Sequence, residues 1–206
     1  GTLPLFFNAG LLLMLIGLAF KVAAAPFHFW APDVYDGAPT VVTAFMATVV
    51  KTAAFAAFYR LFVTCFSSVY EFWVPVIAVL SAISMLLGNI SAVYQTSLKR
   101  VLAFSSIAHA GYMLMALASV SMASKNALLF YAVAYALSSI GVFALLNSVY
   151  KVTGREGIKA VKGLAKTNPL AAIMVTICML SMAGIPPVAG FFGKYYMFVA
   201  ALNSNL

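Results

Sequence analysis

Carboxylates are nearly absent from this chain. Four Asp and Glu stand against twelve Lys and Arg in 206 residues, and charged residues make up only 8% of the total. A soluble domain carries about 25% charged residues, so this composition excludes one. Cysteine is equally scarce. Cys65 and Cys178 lie far apart with no second ligand beside either, which excludes a zinc or iron–sulfur site built from this chain by spacing. The chain shows no basic n-region and no small-residue cleavage site, so no signal peptide is read, and it stops at Leu206 just after an apolar run. It reads as a piece of a longer protein.

What is abundant is apolar surface, at 65% hydrophobic residues. A membrane-spanning helix needs roughly 20 consecutive apolar residues. Six stretches qualify: Phe6–Ala25, Val41–Phe66, Phe72–Tyr94, Val101–Val120, Ala127–Tyr150 and Pro169–Leu202. Runs this long and continuous exclude a β-barrel, whose strands are short and alternating. The fold class is therefore an all-α integral membrane protein with six transmembrane helices in this chain. The net charge of +8 sits in the connections between spans, which excludes a nucleic-acid surface and reports topology instead. Lys99, Arg100, Lys151, Arg155, Lys159, Lys162 and Lys166 fall on one side, while Lys125 and Glu71, with Arg60 near a span end, fall on the other. The positive-inside rule sets the first group in the cytoplasm, Gly1 outside, and the segment with Asp33 and Asp36 inside.

Two spans carry prolines that a straight helix does not tolerate: Pro26 and Pro32 after Lys21, and Pro186 and Pro187 before Lys194. Apolar residues continue on both sides, so each reads as a helix broken at membrane depth, where protein or a water-filled cavity must cover the freed backbone. A pair of such breaks points to an inverted-repeat transporter with its site at the centre; ordinary proline kinks are the plainer alternative.

Three lysines lie inside apolar stretches, with no carboxylate of this chain at matching depth: Lys21, Lys51 and Lys194. Each costs about 2.5–3.5 kcal/mol or more at the bilayer centre, so together they read as an ion or proton path. Lys51 sits ten or more residues from either end of its span, too deep to snorkel, with Thr48 on the same face and alanines around it. Desolvation disfavours a charged lysine and a nearby carboxylate restores it, so moving the partner loads or unloads a proton; arginine never releases one. His109, with Ser105 and Tyr112 on its face, suits proton passage. A histidine bonded once to a neighbouring helix is the alternative. His28 reads as a cap for backbone groups in the first break. Asp33 and Asp36 read as turn-forming or N-capping residues, and Trp30 and Trp73 as interface anchors. The third and fifth spans, with Ser84, Gly88, Ser138, Ser139 and Gly141, read as packing helices. The basic loop from Lys151 to Lys166 reads as a solvated face toward anionic lipid or a neighbouring subunit.

Three motifs carry a resemblance. They are Lys21-x-x-x-x-Pro26-Phe27-His28-x-Trp30-x-Pro32-Asp33-Val34-Tyr35-x-Gly37-Ala38-Pro39-Thr40, the run Ser97 to Tyr112, and Ala183-Gly184-Ile185-Pro186-Pro187-Val188-Ala189-Gly190-Phe191-Phe192-Gly193-Lys194. In this order they strongly resemble the antiporter-like subunits of respiratory complex I, the NADH:quinone oxidoreductase. The wording is most similar to the family member nearest the quinone-binding arm. The resemblance implies a fourteen-helix fold with two inverted five-helix repeats, of which this chain holds the seventh to twelfth helices. Residues 1–70 would then end the first repeat and residues 71–206 form most of the second. It implies a proton relay in which Lys21 pairs with a glutamate from the missing half, Lys51 is central, His109 relays to the second half-channel and Lys194 is terminal. It also implies no redox chemistry or cofactor in this chain, with NADH, FMN, iron–sulfur clusters and quinone handled by other subunits. The implied partners are the neighbouring antiporter-like subunit, the quinone-arm subunits and lipid. The implied location is the bacterial inner membrane or its mitochondrial or thylakoid equivalent. A multi-subunit sodium/proton antiporter or a membrane-bound hydrogenase shares these motifs. A structural membrane spacer is the rival of another class.

Overall fold

The computed structural model describes residues 5–154 and 157–204. Gly1, Arg155 and Leu206 lie outside the described residues, as does the Lys159 side chain. All regular structure among the described residues is helical.

Among the described residues, four helices are long and apolar enough to cross a membrane. They are α3 (Thr40–Cys65), α4 (Ser67–Val93, its first turn 3₁₀), α5 (Leu98–Ala118) and α6 (Met122–Thr153). Their ends differ by a few residues from the apolar runs, and at α6 caps set both ends. Ser121 and Ser124 exchange side-chain-to-backbone bonds of 3.0 Å at the start of α6, and Gly154, left-handed at φ 63°, ends it.

The first and last apolar runs are not single helices. The first contains α1 (Leu5–Lys21), followed by a non-helical segment and α2 (Trp30–Gly37). The last splits into α7 (Pro169–Ala183) and α8 (Ala189–Asn203). The α7 start is capped by Asn168, whose side chain accepts from the Ala171 N–H at 3.1 Å, and Gly184 at φ 83° ends it.

Backbone groups freed after α1 find partners, but not the expected one. The Ala25 N–H donates to Ser84 Oγ at 2.8 Å, and the Trp30 indole N–H donates to the Phe20 carbonyl at 3.0 Å. His28 caps nothing: its buried Nδ1 has no partner, and its ring meets Phe104 edge-on. Trp30 thus helps close the break. Trp73 is fully buried, with its N–H on the Phe66 carbonyl at 2.9 Å. Both indoles donate to backbone carbonyls, Trp73 in the core and Trp30 at the surface of the break.

The helices approach closely where α4 packs on α5. A Cβ on Gly88 would stand 2.6 Å from Ala108 N, and one on Gly111 would stand 2.9 Å from the Met85 N and Ser81 O backbone atoms. The Ser81 hydroxyl donates to the Gly111 carbonyl at 2.7 Å across the same crossing. Small residues let these backbones approach, which fixes the height of His109 on α5.

Within α3 the hydrogen bonding widens to π-helical turns at Met46–Val50 and Tyr59–Cys65, flanking a regular stretch, Lys51–Phe58. Such widened turns concentrate at functional sites. Lys51 is the first residue after one of them.

At the end of the bundle bearing Lys99 and Arg100, α2 is tied to α5. Arg100 pairs with Asp33 and, at 3.2 Å, with Asp36; Ser97 Oγ donates to Asp36 at 2.6 Å. The carboxylates therefore bind across helices instead of shaping their own turn. Lys99 is buried rather than solvated, donating to the Ala38 carbonyl at 3.2 Å.

Candidate functional site

Lys51 is buried, 3% exposed. Its ammonium donates to the Ser106 carbonyl at 2.7 Å and to the Ser106 hydroxyl. A carbonyl and a hydroxyl stand in for a carboxylate, giving dipoles but no opposite charge. Thr48 shares the helix face but not the site: its hydroxyl bonds back to the Ala44 carbonyl at 2.6 Å.

His109, also 3% exposed, lies one turn beyond Ser106 on α5. Its Nδ1 is hydrogen-bonded to the Tyr131 hydroxyl from α6, and the Tyr135 ring centroid lies 4.8 Å from the imidazole. Lys51, Ser106, Tyr135, His109 and Tyr131 thus form one buried polar cluster spanning α3, α5 and α6. The helix read as mere packing supplies two of its five members. Tyr131 and Tyr135 stand at i and i+4, a helical-face signal in the sequence, though it does not say which helix they meet.

Lys194 approaches from the other side. Its ammonium donates to the Met182 carbonyl at 2.9 Å and the Ala183 carbonyl at 3.2 Å, so it binds the carbonyl end of α7, where the helix dipole favours a cation. It also lies 4.8 Å from the Tyr112 ring centroid. Gly184 makes room, since a Cβ there would stand 3.0 Å from Lys194 Cδ. Lys194, His109, Ser105 and Tyr112 line one cavity of about 260 Å³.

Lys21 does not join this group. It occupies the last turn of α1 with an exposed side chain, and no ion pair forms to it among the described residues. No group of three or more His, Cys, Asp or Glu comes together among the described residues.

Buried basic side chains on packed, apolar, interrupted helices define an antiporter-like membrane protein. The comparisons with known proteins agree. Residues 4–206 match the family model described as NADH:quinone oxidoreductase/Mrp antiporter, TM, and the chain belongs to that family. Over 206 residues it is 46% identical to a protein of Desulforamulus reducens named NADH-quinone oxidoreductase subunit N, covering 100% of this chain and 43% of that one. A chain in respiratory complex I from Thermus thermophilus superposes with TM-score 0.84 at 41% identity, over 99% of this chain and 44% of that one. A chain of the Mrp complex from Dietzia sp. superposes with TM-score 0.84 at 30% identity, over 93% and 36%. The chain therefore spans less than half the length of these relatives.

Proposed function

We propose that this chain is part of a proton-translocating membrane subunit, of the subunit N kind, in an NADH:quinone oxidoreductase. Six spans cross the membrane, the first and last interrupted at mid-depth. Residues 1–70 close one inverted repeat and residues 71–206 make most of a second. The protein resides in an energy-transducing membrane, the inner membrane in a bacterium. NADH, FMN, iron–sulfur clusters and quinone react in other subunits, and this chain moves protons only. Its partners are the neighbouring antiporter-like subunit, the quinone-arm subunits and lipid.

One observation carries the reading: a lysine and a histidine, both buried among packed apolar helices, the first bonded to Ser106 on the helix that carries the second, and the second bonded to Tyr131. Lys51, His109 and Lys194 are three basic groups, and charging one disfavours charging its neighbours. A proton arriving at Lys51 is passed to His109 and on to Lys194, because each transfer relieves repulsion behind it. Lys21, exposed on this chain, takes a carboxylate from the missing half of the subunit; movement of that acid loads the series. Serine and tyrosine hydroxyls donate and accept, so they bridge gaps without holding charge.

The sodium/proton antiporter reading draws on the equal TM-score to the Mrp chain. Sodium separates the two. With the chain in its native complex in vesicles, electron transfer to quinone should acidify one side at the same rate with sodium absent, and the subunit should purify with flavin and iron–sulfur proteins. Transport that requires sodium, in a complex without redox groups, would establish the antiporter instead.

A further inference from the structure

A groove of about 470 Å³ opens between the last turns of α6, the first turn of α7 and the connection that joins them. Volumes of this order hold small-molecule ligands. Its walls change character along the helices. Leu145 and Val149 of α6 and Ala171 of α7 supply an apolar floor, while Lys162, Thr167 and Asn168 of the connection supply a polar rim. The depth of the two parts follows from the length of α6. Lys125 and Lys151 stand near its ends, about 39 Å apart at 1.5 Å per residue, and the hydrocarbon layer is about 30 Å thick. Lys151 and the connection after it therefore lie among lipid headgroups, and Leu145, about 9 Å before Lys151, lies in hydrocarbon.

The rim is cationic. From Lys151 to Asn168 the sequence holds five basic residues and one acidic one. Lys162 lines the groove with an exposed side chain, and no ion pair forms to it among the described residues. Lys151 and Lys166, also exposed, do not line the groove but precede Val152 and Thr167, which do. A solvated basic loop accounts for the lysines but not for the apolar recess beneath them. A cationic rim over an apolar floor, at the depth where headgroups give way to hydrocarbon, complements one class of molecule: an amphiphile with an anionic head and a hydrocarbon tail.

We propose that this groove binds one anionic phospholipid, its phosphate against Lys162 and an acyl chain along Val149 and Leu145. Lysine meets phosphate as a point charge, and each lysine near an anionic lipid surface strengthens binding roughly fivefold. The bound lipid bridges the end of α6 to the start of α7, the half-helix whose far end holds Lys194. This inference rests on the reading in which α6 and α7 span the membrane, and it is independent of the proton relay.

Photolabelling of the intact complex tests it. The complex is placed in phosphatidylcholine vesicles that carry a trace of phosphatidylglycerol with a diazirine on its acyl chain, or of phosphatidylcholine with the same diazirine, and labelled peptides are read by mass spectrometry. Peptides covering residues 145–153 should take the phosphatidylglycerol label roughly fivefold more than the phosphatidylcholine label, and Lys162→Gln should remove that preference. Ser148 is exposed and lines the groove. Ser148→Trp fills the groove without changing any charge, and should lower phosphatidylglycerol labelling there several-fold. Should that variant fail to assemble, Ala171→Trp on the facing wall takes its place. Equal labelling by the two lipids, or labelling indifferent to the tryptophan, would overturn the site and leave a diffuse basic surface. Labelling elsewhere on α6 but not at residues 145–153 would overturn it in favour of a neighbouring subunit covering the groove. No labelling anywhere on α6 would overturn the spanning reading itself, so the two failures are told apart.

Discussion

The Lys51 ammonium donates to both the carbonyl and the hydroxyl of Ser106, and Ser106 lies three residues before His109 on α5. One residue of α5 therefore holds the lysine of α3 while its own helix carries the histidine. The two basic groups share a support, so any shift of α5 against α3 changes both environments together.

Ser106→Ala keeps the carbonyl acceptor and removes the hydroxyl. A hydrogen bond to a charged group contributes about 1.5–3 kcal/mol, or roughly tenfold to a hundredfold in a step that needs the ammonium at that place. Proton pumping should slow by this order while the complex still assembles. Pumping at the normal rate would show that the hydroxyl is incidental.

Tyr131→Phe leaves the ring that packs on His109 and on Gly193 but deletes the hydroxyl at Nδ1. Pumping should fall several-fold. Because the two side chains act as a unit, adding the change to His109→Ala should cost nothing further, a non-additivity that a double-mutant cycle reads directly. Additive losses would place Tyr131 outside the relay.

Gly190 has no space for a side chain: a Cβ there would stand 1.8 Å from the Ser181 carbonyl oxygen. Gly190→Ala should force α8 away from the end of α7 and abolish assembly, read as loss of the subunit from purified complex. Gly184→Ala should be milder. It places a Cβ against the flexible Lys194 chain and a non-glycine residue at φ 83°, for about 1–2 kcal/mol. Equal, mild effects would contradict the packing of the two half-helices.

Asp36→Asn should destabilise more than Asp33→Asn. Asp36 is 34% exposed and holds both Arg100 and Ser97, whereas Asp33 is 73% exposed and holds Arg100 alone. Exposed ion pairs contribute about 0–1 kcal/mol, so the Asp33 change should shift the thermal midpoint of the detergent-solubilised complex little. A larger shift from Asp33 would reverse the assignment.

Much of the helical layout was legible in the sequence because hydropathy sees continuous apolar runs, and Pro26, Pro186 and Pro187 mark where helices stop. The depth of Lys51 followed from its distance to both span ends. The partners did not follow. Ser106 and Tyr131 are ordinary residues of apolar helices, and only the packing of α3, α5 and α6 brings them to Lys51 and His109. The π-helical turns around Lys51–Phe58 contain neither Gly nor Pro, so no residue announces them. Trp73, read as an interface anchor, is buried in the core for a related reason. An indole has the same preference for an interface as for a buried carbonyl, and composition does not distinguish the two. Lys21, read in the sequence as lying inside an apolar stretch, ends α1 with an exposed side chain.

The most direct test replaces Lys51 by Met, which keeps the bulk and removes the proton. Pumping per quinone reduced is measured in vesicles holding the intact complex, with assembly verified. The relay predicts that pumping is lost and that electron transfer slows in step. Unchanged pumping at equal quinone reduction in a fully assembled complex would contradict it.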